Sequence, residues 1–494
     1  MNMTKLITAG LTCALLSSCA PIKDPVVTPE DPKVYRIGSS VEVYLSTMDA
    51  SNLFNHMSED AIVYDKKDAP KTGFDVTIDP NKTYQNILGA GASFTDSAAY
   101  LINSVLSPQQ RDELMVMLFD KEDGIGLSFI RQPMGASDFA RDFYTYDDQP
   151  KGQTDEDLSD FSIDHDRSDI LPLLKQTLLL NPDLKIMASP WSAPGWMKTS
   201  DNTVGGSLKP EYYEEYAQYF VKFIQAYQQE GIEIFAITPQ NEPLYIPKHY
   251  PGLGMSAYQQ VQFIQKGLYP AFQEAGLSTK ILAYDHNWDR KDFPLDVLKS
   301  IPEMVDGVAW HVYGGKVIAQ SEVFNEFPEH EVYFTEASGG EWVPPFEAAF
   351  HDQIKNGIDV FRNHSRTYVL WNMALDENNG PTVPGFGRST CRGIVTVNQE
   401  TKELTYNLDY YSLAHFSKFM KKDALRIDST KAEGNFTSVA FLNPDLSVNL
   451  VVYNMQNTAR NALIHLNEQT IVYPMPAKSV ATLTFKIEIT NELQ

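Results

Sequence analysis

The sequence predicts an α/β fold: a (β/α)8 TIM barrel with an accessory β-sandwich built from both chain ends. Three observations predict it. Eight apolar, strand-like runs between residues 87 and 373 alternate with stretches of helical period, the rhythm of a parallel sheet. With their helices these runs fill residues 87–423, within the size range of such barrels. Short alternating strands with no helical period between them lie on both sides of that segment.

In chain order, Lys5 precedes the apolar run Leu6 to Leu16, and Leu16-Ser17-Ser18-Cys19 resembles a bacterial lipobox. Residues 1–19 are expected to be a lipoprotein signal peptide, with Cys19 lipidated; the alternative is a plain secretory signal cut nearby. Residues 20–33 carry Pro21, Pro25, Pro29 and Pro32 and read as a tether. No later stretch reaches 18 apolar residues, so no spanning helix is expected. The expected place is therefore outside the cytoplasm, lipid-anchored in a Gram-negative envelope, at the outer membrane, cell surface or periplasmic face. The only membrane contact expected is this N-terminal lipid anchor.

Residues 34–86 supply N-terminal sandwich strands, signalled by Val41-Glu42-Val43-Tyr44-Leu45 and Phe74-Asp75-Val76-Thr77-Ile78. The barrel strands are expected at Ile87 to Phe94, Leu127 to Pro133, Lys185 to Pro190, Ile232 to Pro239, Lys280 to Asp285, Gly307 to Tyr313, Glu331 to Glu336 and Thr367 to Met373. Between them, Ser107-Pro108 opens a helix as N-cap and first-turn proline. Pro210 opens another, whose Tyr216, Tyr219, Phe220, Phe223 and Ile224 recur at helical spacing and read as core. Later helices are expected at Ile354 to Phe361 and Tyr410 to Phe419. Residues 424–494 return to strands, such as Val448 to Tyr453 and Ser479 to Phe485, broken by Asn-rich turns.

Composition narrows the partners. Sixty-four acidic against 40 basic residues give a net charge of -24, a field that repels polyphosphate, so no nucleic-acid partner is expected. Cys13, Cys19 and Cys391 cannot form a disulfide framework, and Cys391 reads as a small core or pocket-wall residue. No His-x-His or His-Glu-x-x-His cluster occurs, and Gly89 to Gly91 lacks the third glycine of a dinucleotide loop. Neither metal nor cofactor is expected.

In a barrel the chemistry lies at the C-terminal ends of the strands. The fourth ends in Gln240-Asn241-Glu242-Pro243 and the seventh in Thr335-Glu336-Ala337, so two carboxylates emerge at one rim. Glycoside hydrolysis with retention uses such a pair about 5 Å apart, one attacking the anomeric carbon and one handling protons. Each signal alone also fits a solvated strand-end residue; their conjunction favours catalysis. Trp191, His311, Tyr313 and Trp371 fall at other strand ends and surround the same rim. A catalytically silent, glycan-binding lipoprotein would share the acidity and the aromatic residues but has no need of the two glutamates.

Five further stretches, in this order, carry a family resemblance: Gly89-Ala90-Gly91-Ala92-Ser93-Phe94-Thr95-Asp96-Ser97-Ala98, Ile130-Arg131-Gln132-Pro133-Met134-Gly135, Ser137-Asp138-Phe139, Ala188-Ser189-Pro190-Trp191-Ser192-Ala193-Pro194 and Ala414-His415-Phe416-Ser417-Lys418-Phe419. From about Ile87 to its C-terminus the sequence resembles glycoside hydrolase family 30, which contains lysosomal glucosylceramidase and microbial β-1,6-glucanases. The resemblance implies a retaining enzyme with a carbohydrate substrate, a β-glucan or β-glucoside, and the same barrel-plus-sandwich fold. It implies Glu242 as acid/base, Glu336 as nucleophile and Asn241 as partner of the sugar 2-hydroxyl. It makes Asp138 and Trp191 sugar-holding groups, His311 and Tyr313 the wall beside the nucleophile, and Trp371 an apolar platform. Arg131 would keep Glu336 ionised, or serve a buried structural ion pair. Gln240 and the loop Asp376 to Arg392 look closer to the microbial glucanases, so β-1,6-glucan is the expected substrate. An exo-acting, glucosylceramidase-like β-glucosidase is the alternative.

Overall fold

The structure, a computed structural model, describes residues 32–431 and 434–490; Cys19 and the expected lipobox lie outside them. At its centre is a parallel barrel of β1 (Gly89–Ser93), β2 (Phe129–Met134), β3 (Lys185–Pro190), β4 (Ala236–Ile237), β5 (Lys280–Asn287), β6 (Gly307–His311), β7 (Glu331–Glu336) and β8 (Thr367–Asn372). Backbone ladders connect β7-β6-β5-β4-β3-β2-β1-β8 in that order.

The last seam, β7 against β8, closes differently. A single parallel bridge joins Val332 to Ser365, and the Ala337 amide donates to the Val369 carbonyl at 3.1 Å. Between these points the Phe334 amide donates to the Ser365 and Thr367 hydroxyls, at 2.8 and 3.1 Å. Side chains thus satisfy backbone groups that a ladder would otherwise pair.

The lower barrel is plugged by Phe129, Met187, Ala236, Leu282, Ala309, Tyr333 and Val369, one from each of seven strands. The remaining strand, β1, is glycine-rich for a steric reason: a Cβ at Gly91 would sit 1.6 Å from the Phe129 carbonyl oxygen. The Gly89 to Gly91 stretch is therefore close backbone packing.

Around the barrel, Ser107 caps the helix Pro108–Phe119 in a capping box with Gln110. The helix Tyr213–Gln229 buries Tyr216, Tyr219, Phe220, Phe223 and Ile224. Three of the boundaries that differ from expectation bear on the site. β4 keeps two residues instead of eight, because the Thr238 and Asn241 amides turn to the Ala188 and Pro190 carbonyls, and the Glu242 amide to that of Asp285. β6 ends at His311, so Tyr313 lies beyond the strand. β5 runs past Asp285 to Asn287, with a bulge between Tyr284 and His286.

The chain ends meet in one sandwich. Glu42–Thr47 pairs with Ser479–Thr490, and the long strand Phe74–Asn86 pairs with both Leu425–Ser429 and Arg460–Leu466. Its apolar interior includes Val43, Val76, Ile427, Leu450 and Leu483. His415, on the helix Leu408–Ser417, ties barrel to sandwich through the Thr482 and Ser46 hydroxyls at 2.8 and 2.9 Å. No described helix is long and apolar enough to cross a membrane.

Candidate active site

The site is assembled around a residue the sequence analysis did not single out. Asp285 is fully buried, and its two oxygens gather five donors from around the barrel. Oδ2 accepts from Arg131 Nη2 at 2.8 Å, Ser189 Oγ at 2.7 Å and Thr238 Oγ1 at 2.8 Å. Oδ1 accepts from His311 Nε2 at 2.9 Å and Thr335 Oγ1 at 2.7 Å. The bulge in β5 aims it there: Tyr284 and Asp285 have φ of 77° and 67°, in the left-handed region that non-glycine residues occupy rarely. Burial opposes the Asp285 charge, yet Arg131 and His311 outweigh it and hold its carboxyl well below the usual range.

Arg131, also fully buried, extends this hub to both expected catalytic segments. Nη1 donates to Glu336 Oε2 at 2.6 Å, and Nη2 also donates to Asn241 Oδ1 at 2.7 Å. With its carbonyl oxygen held, Asn241 is left with its NH2 group as the free donor. The guanidinium lies 4.8 Å from the Trp191 ring centre and 5.6 Å from that of Trp371. The two indoles stack on each other at 4.7 Å and are 3% and 4% exposed. They form the floor under the arginine rather than an open platform.

One carboxylate oxygen each of Glu242 and Glu336 and one ring nitrogen of His311 lie within 4.8 Å of one another. Glu336 ends β7 and is nearly buried; its Oε1 accepts from the Tyr313 hydroxyl at 2.9 Å. Glu242 follows the shortened β4 with φ 45°, a strained conformation of the kind that clusters at functional sites. Its Oε1 is 3.2 Å from His311 Nδ1 and 3.7 Å from His286 Nε2. Burial disfavours the His311 charge, but Glu336 and Asp285 prevail and raise it to about 9. Both His311 nitrogens face carboxylates, which fits the doubly protonated ring.

Burial pushes Glu336 upward against the pull of His311 and Arg131, while His311 holds Glu242 down. The two carboxylates lie close enough to titrate together, with the His311 Nδ1 proton directed at Glu242. Asp138 faces this pair: burial and the Glu336 charge push it up to about 8, and its Oδ1 has no hydrogen-bond partner among the described residues. Cys391 packs against the cluster of Phe139, Trp191, Trp371 and Leu375, a pocket-wall position.

The structure thus brings Glu242, Glu336, Asn241, Asp138, Arg131, Trp191, His311, Tyr313 and Trp371 to one rim; Cys19 lies outside the described residues. It adds Asp285, Ser189, Thr238, Thr335 and His286. One signal for Asp285 was present, since an acidic residue ended an otherwise apolar strand. The hydroxyl donors had none.

Known proteins share this architecture. The model of the glycosyl hydrolase family 30 TIM-barrel domain matches residues 87–420, and that of the family's β-sandwich domain residues 423–483. The endo-1,6-β-D-glucanase BGN16.3 of Trichoderma harzianum is 37% identical over 410 residues, covering 78% of this chain and 80% of that protein. The lysosomal acid glucosylceramidase of Mus musculus is 30% identical over 407 residues, 78% of each chain. The solved structure of the endo-β1,6-glucanase BT3312 superposes with a TM-score of 0.83 at 31% identity, over 90% of this chain and 99% of that one. With two carboxylates facing each other across the rim of a barrel that both domain models span, the chain belongs to glycosyl hydrolase family 30 and is a retaining glycoside hydrolase.

Proposed function

We propose that the enzyme hydrolyses β-1,6-glucan outside the cell by double displacement. The observation that carries the mechanism is the approach of Glu242 and Glu336 oxygens within 4.8 Å, the spacing of direct attack rather than of attack by an interposed water. Glu336 attacks the anomeric carbon, and the glycosidic C–O bond breaks as Glu242 delivers a proton to the departing oxygen. Arg131 and Tyr313 hold the Glu336 carboxylate in place for the attack. The Asn241 NH2 group meets the sugar 2-hydroxyl, and neutral Asp138 donates to another ring hydroxyl. In the second step Glu242 takes a proton from water, the hydroxide oxygen bonds to the anomeric carbon, and the Glu336 carboxylate leaves. The proton taken from water restores Glu242 for the next cycle.

The linkage rests on the endo-β-1,6-glucanases among the relatives. It is also supported by charge, since a neutral glucan does not oppose the -24 field of the protein. Product analysis on β-1,6-, β-1,3- and β-1,4-glucans and β-1,4-xylan tests it. The expected result is short gluco-oligosaccharides from the β-1,6 polymer well ahead of the others. An enzyme that spares β-1,6-glucan but releases glucose from aryl β-glucosides or glucosylceramide overturns it.

The lipobox reading supports a lipid anchor on Cys19, with the catalytic domain outside the bilayer of a Gram-negative envelope. Several acyl chains on one cysteine attach stably where a single chain does not. Cys19→Ala should release active, soluble enzyme; a variant that still sediments with membranes at high salt refutes the anchor.

A further inference from the structure

A second cavity, of about 270 Å³, opens next to the nucleophile. Its floor starts at Ala337 and Ser338, immediately after Glu336, and Tyr313 is the partition. The Tyr313 hydroxyl donates to Glu336 at 2.9 Å while its ring lines the cavity, and the residue is 45% exposed. A chain held at Glu336 therefore has a continuous path across Tyr313.

The far wall carries sugar-binding chemistry that the fold does not use. Trp342 is 50% exposed, and its indole lies against Gly340, where an added Cβ would come within 2.0 Å of the ring. Only glycine lets the indole lie down there. One turn apart on the helix Phe346–Arg362, Asp352 and Asn356 also line the cavity. Neither side chain, nor the Trp342 indole, forms a hydrogen bond or ion pair with any described residue. By contrast, Gln353 between them is engaged with Asp409 and Ser412. An open indole with an unpaired carboxylate and amide offers an apolar face plus polar groups for hydroxyls. The volume falls just below that of pockets for drug-sized ligands, roughly 300–1,000 Å³, and suits one pyranose ring.

We propose that this cavity is a distal glucosyl subsite, in which Trp342 stacks on a sugar ring of the glucan chain and Asp352 and Asn356 bind its hydroxyls. The inference rests on the β-glucan reading above and assigns a second point of substrate contact. A two-point grip makes catalytic efficiency depend on chain length, because short substrates cannot reach Trp342 from Glu336.

The test compares the parent, Trp342→Ala and Asn356→Ala on β-1,6-gluco-oligosaccharides of two to seven units. In the parent, kcat/KM should rise with length; in both variants that rise should shrink about three- to tenfold, mainly through KM. Length dependence equal to the parent's in both variants overturns the subsite. Failure of the linkage reading has a different signature, a parent that cleaves none of the series. Binding then decides the cavity: a β-1,6-linked pentaose is titrated into inert Glu336→Gln enzyme with and without Trp342→Ala. A three- to tenfold loss of affinity supports the subsite, and equal affinity overturns it.

Discussion

His311 Nε2 donates to Asp285 Oδ1 at 2.9 Å, while the opposite nitrogen of the same ring lies 3.2 Å from Glu242 Oε1. A carboxylate in the barrel centre thereby sets the charge of the imidazole that faces Glu242, the proposed acid/base. Asp285 is a positioning residue: it touches no substrate, and it acts on Glu242 through His311 and on Glu336 through Arg131.

Asp285→Asn keeps the size of the side chain but removes its charge. His311 then loses one of the three carboxylates, Glu336, Asp285 and Glu242, that hold it near 9. The expected outcome is a fall in kcat/KM of about 100-fold or more, with the alkaline limb of the pH profile moved toward neutral pH. The sign follows from linkage: a cation that loses an anionic neighbour gives up its proton at lower pH. A limb that stays in place in a folded variant would show that Asp285 serves packing alone.

The division of labour between the two glutamates makes a stereochemical prediction. Glu336→Ala leaves no nucleophile, so glycosyl-enzyme formation should stop. Glu242→Ala should retain attack on aryl glycosides with good leaving groups, which need little acid assistance. Azide should give a β-glycosyl azide with the Glu242 variant and an α-azide with the Glu336 variant. Swapped products would reverse the roles. NMR of the parent reaction should show the β-anomer first; an α-anomer formed first would exclude retention.

At Asp138 the proposed sugar contact and stability pull in opposite directions. Its folded value is raised from 3.8 to about 8, chiefly by burial. Between those values the folded chain holds a proton that the unfolded chain releases, so this group erodes stability as pH rises from about 4 to about 8. Asp138→Asn removes the ionisation and should raise Tm relative to the parent, with a gain that widens across that window and levels off above it. Activity should fall at the same time, because the acid's hydroxyl, a donor that also accepts, is replaced by an NH2 group that only donates. A difference in Tm that does not vary with pH counts against the raised value.

Much of this architecture was legible because local pattern and long-range fold agree. Glu242 and Glu336 stood out as acids at the ends of apolar runs, and the Tyr216 to Ile224 stripe pointed to core by spacing alone. Asp285 carried the same strand-end signal as Glu336 but lacked an adjacent motif to draw attention to it. What remained hidden depends on partners distant in the chain. β4 is short because its following amides find carbonyls on β3 and β5. β7 closes on β8 through the Ser365 and Thr367 hydroxyls, whose destination no local pattern encodes. The stacking of Trp191 on Trp371 beneath Arg131 likewise required the closed barrel.

The motif Ala414 to Phe419 has a structural rather than a catalytic reason, and it makes the fold acid-sensitive. His415 is fully enclosed between barrel and sandwich, with its nitrogens on the Thr482 and Ser46 hydroxyls, and burial lowers it from 6.5 to about 3. The neutral ring is therefore the folded form over most of the pH range. The unfolded chain takes up a proton at this residue below about 6.5, and the folded chain does not until about 3. Stability from this group is present above 6.5 and is lost as pH falls toward 3, at about 1.4 kcal/mol per pH unit at most. His415→Gln can still hydrogen-bond the two hydroxyls but cannot titrate. Relative to the parent it should be less stable at pH 7, where its packing is poorer, and should close that gap as the pH falls to 4. Thermal unfolding followed at a series of pH values reads this directly, because the carboxylates common to both proteins cancel in the difference. Parallel Tm profiles for parent and variant between pH 7 and 4 would remove His415 as the origin of acid lability.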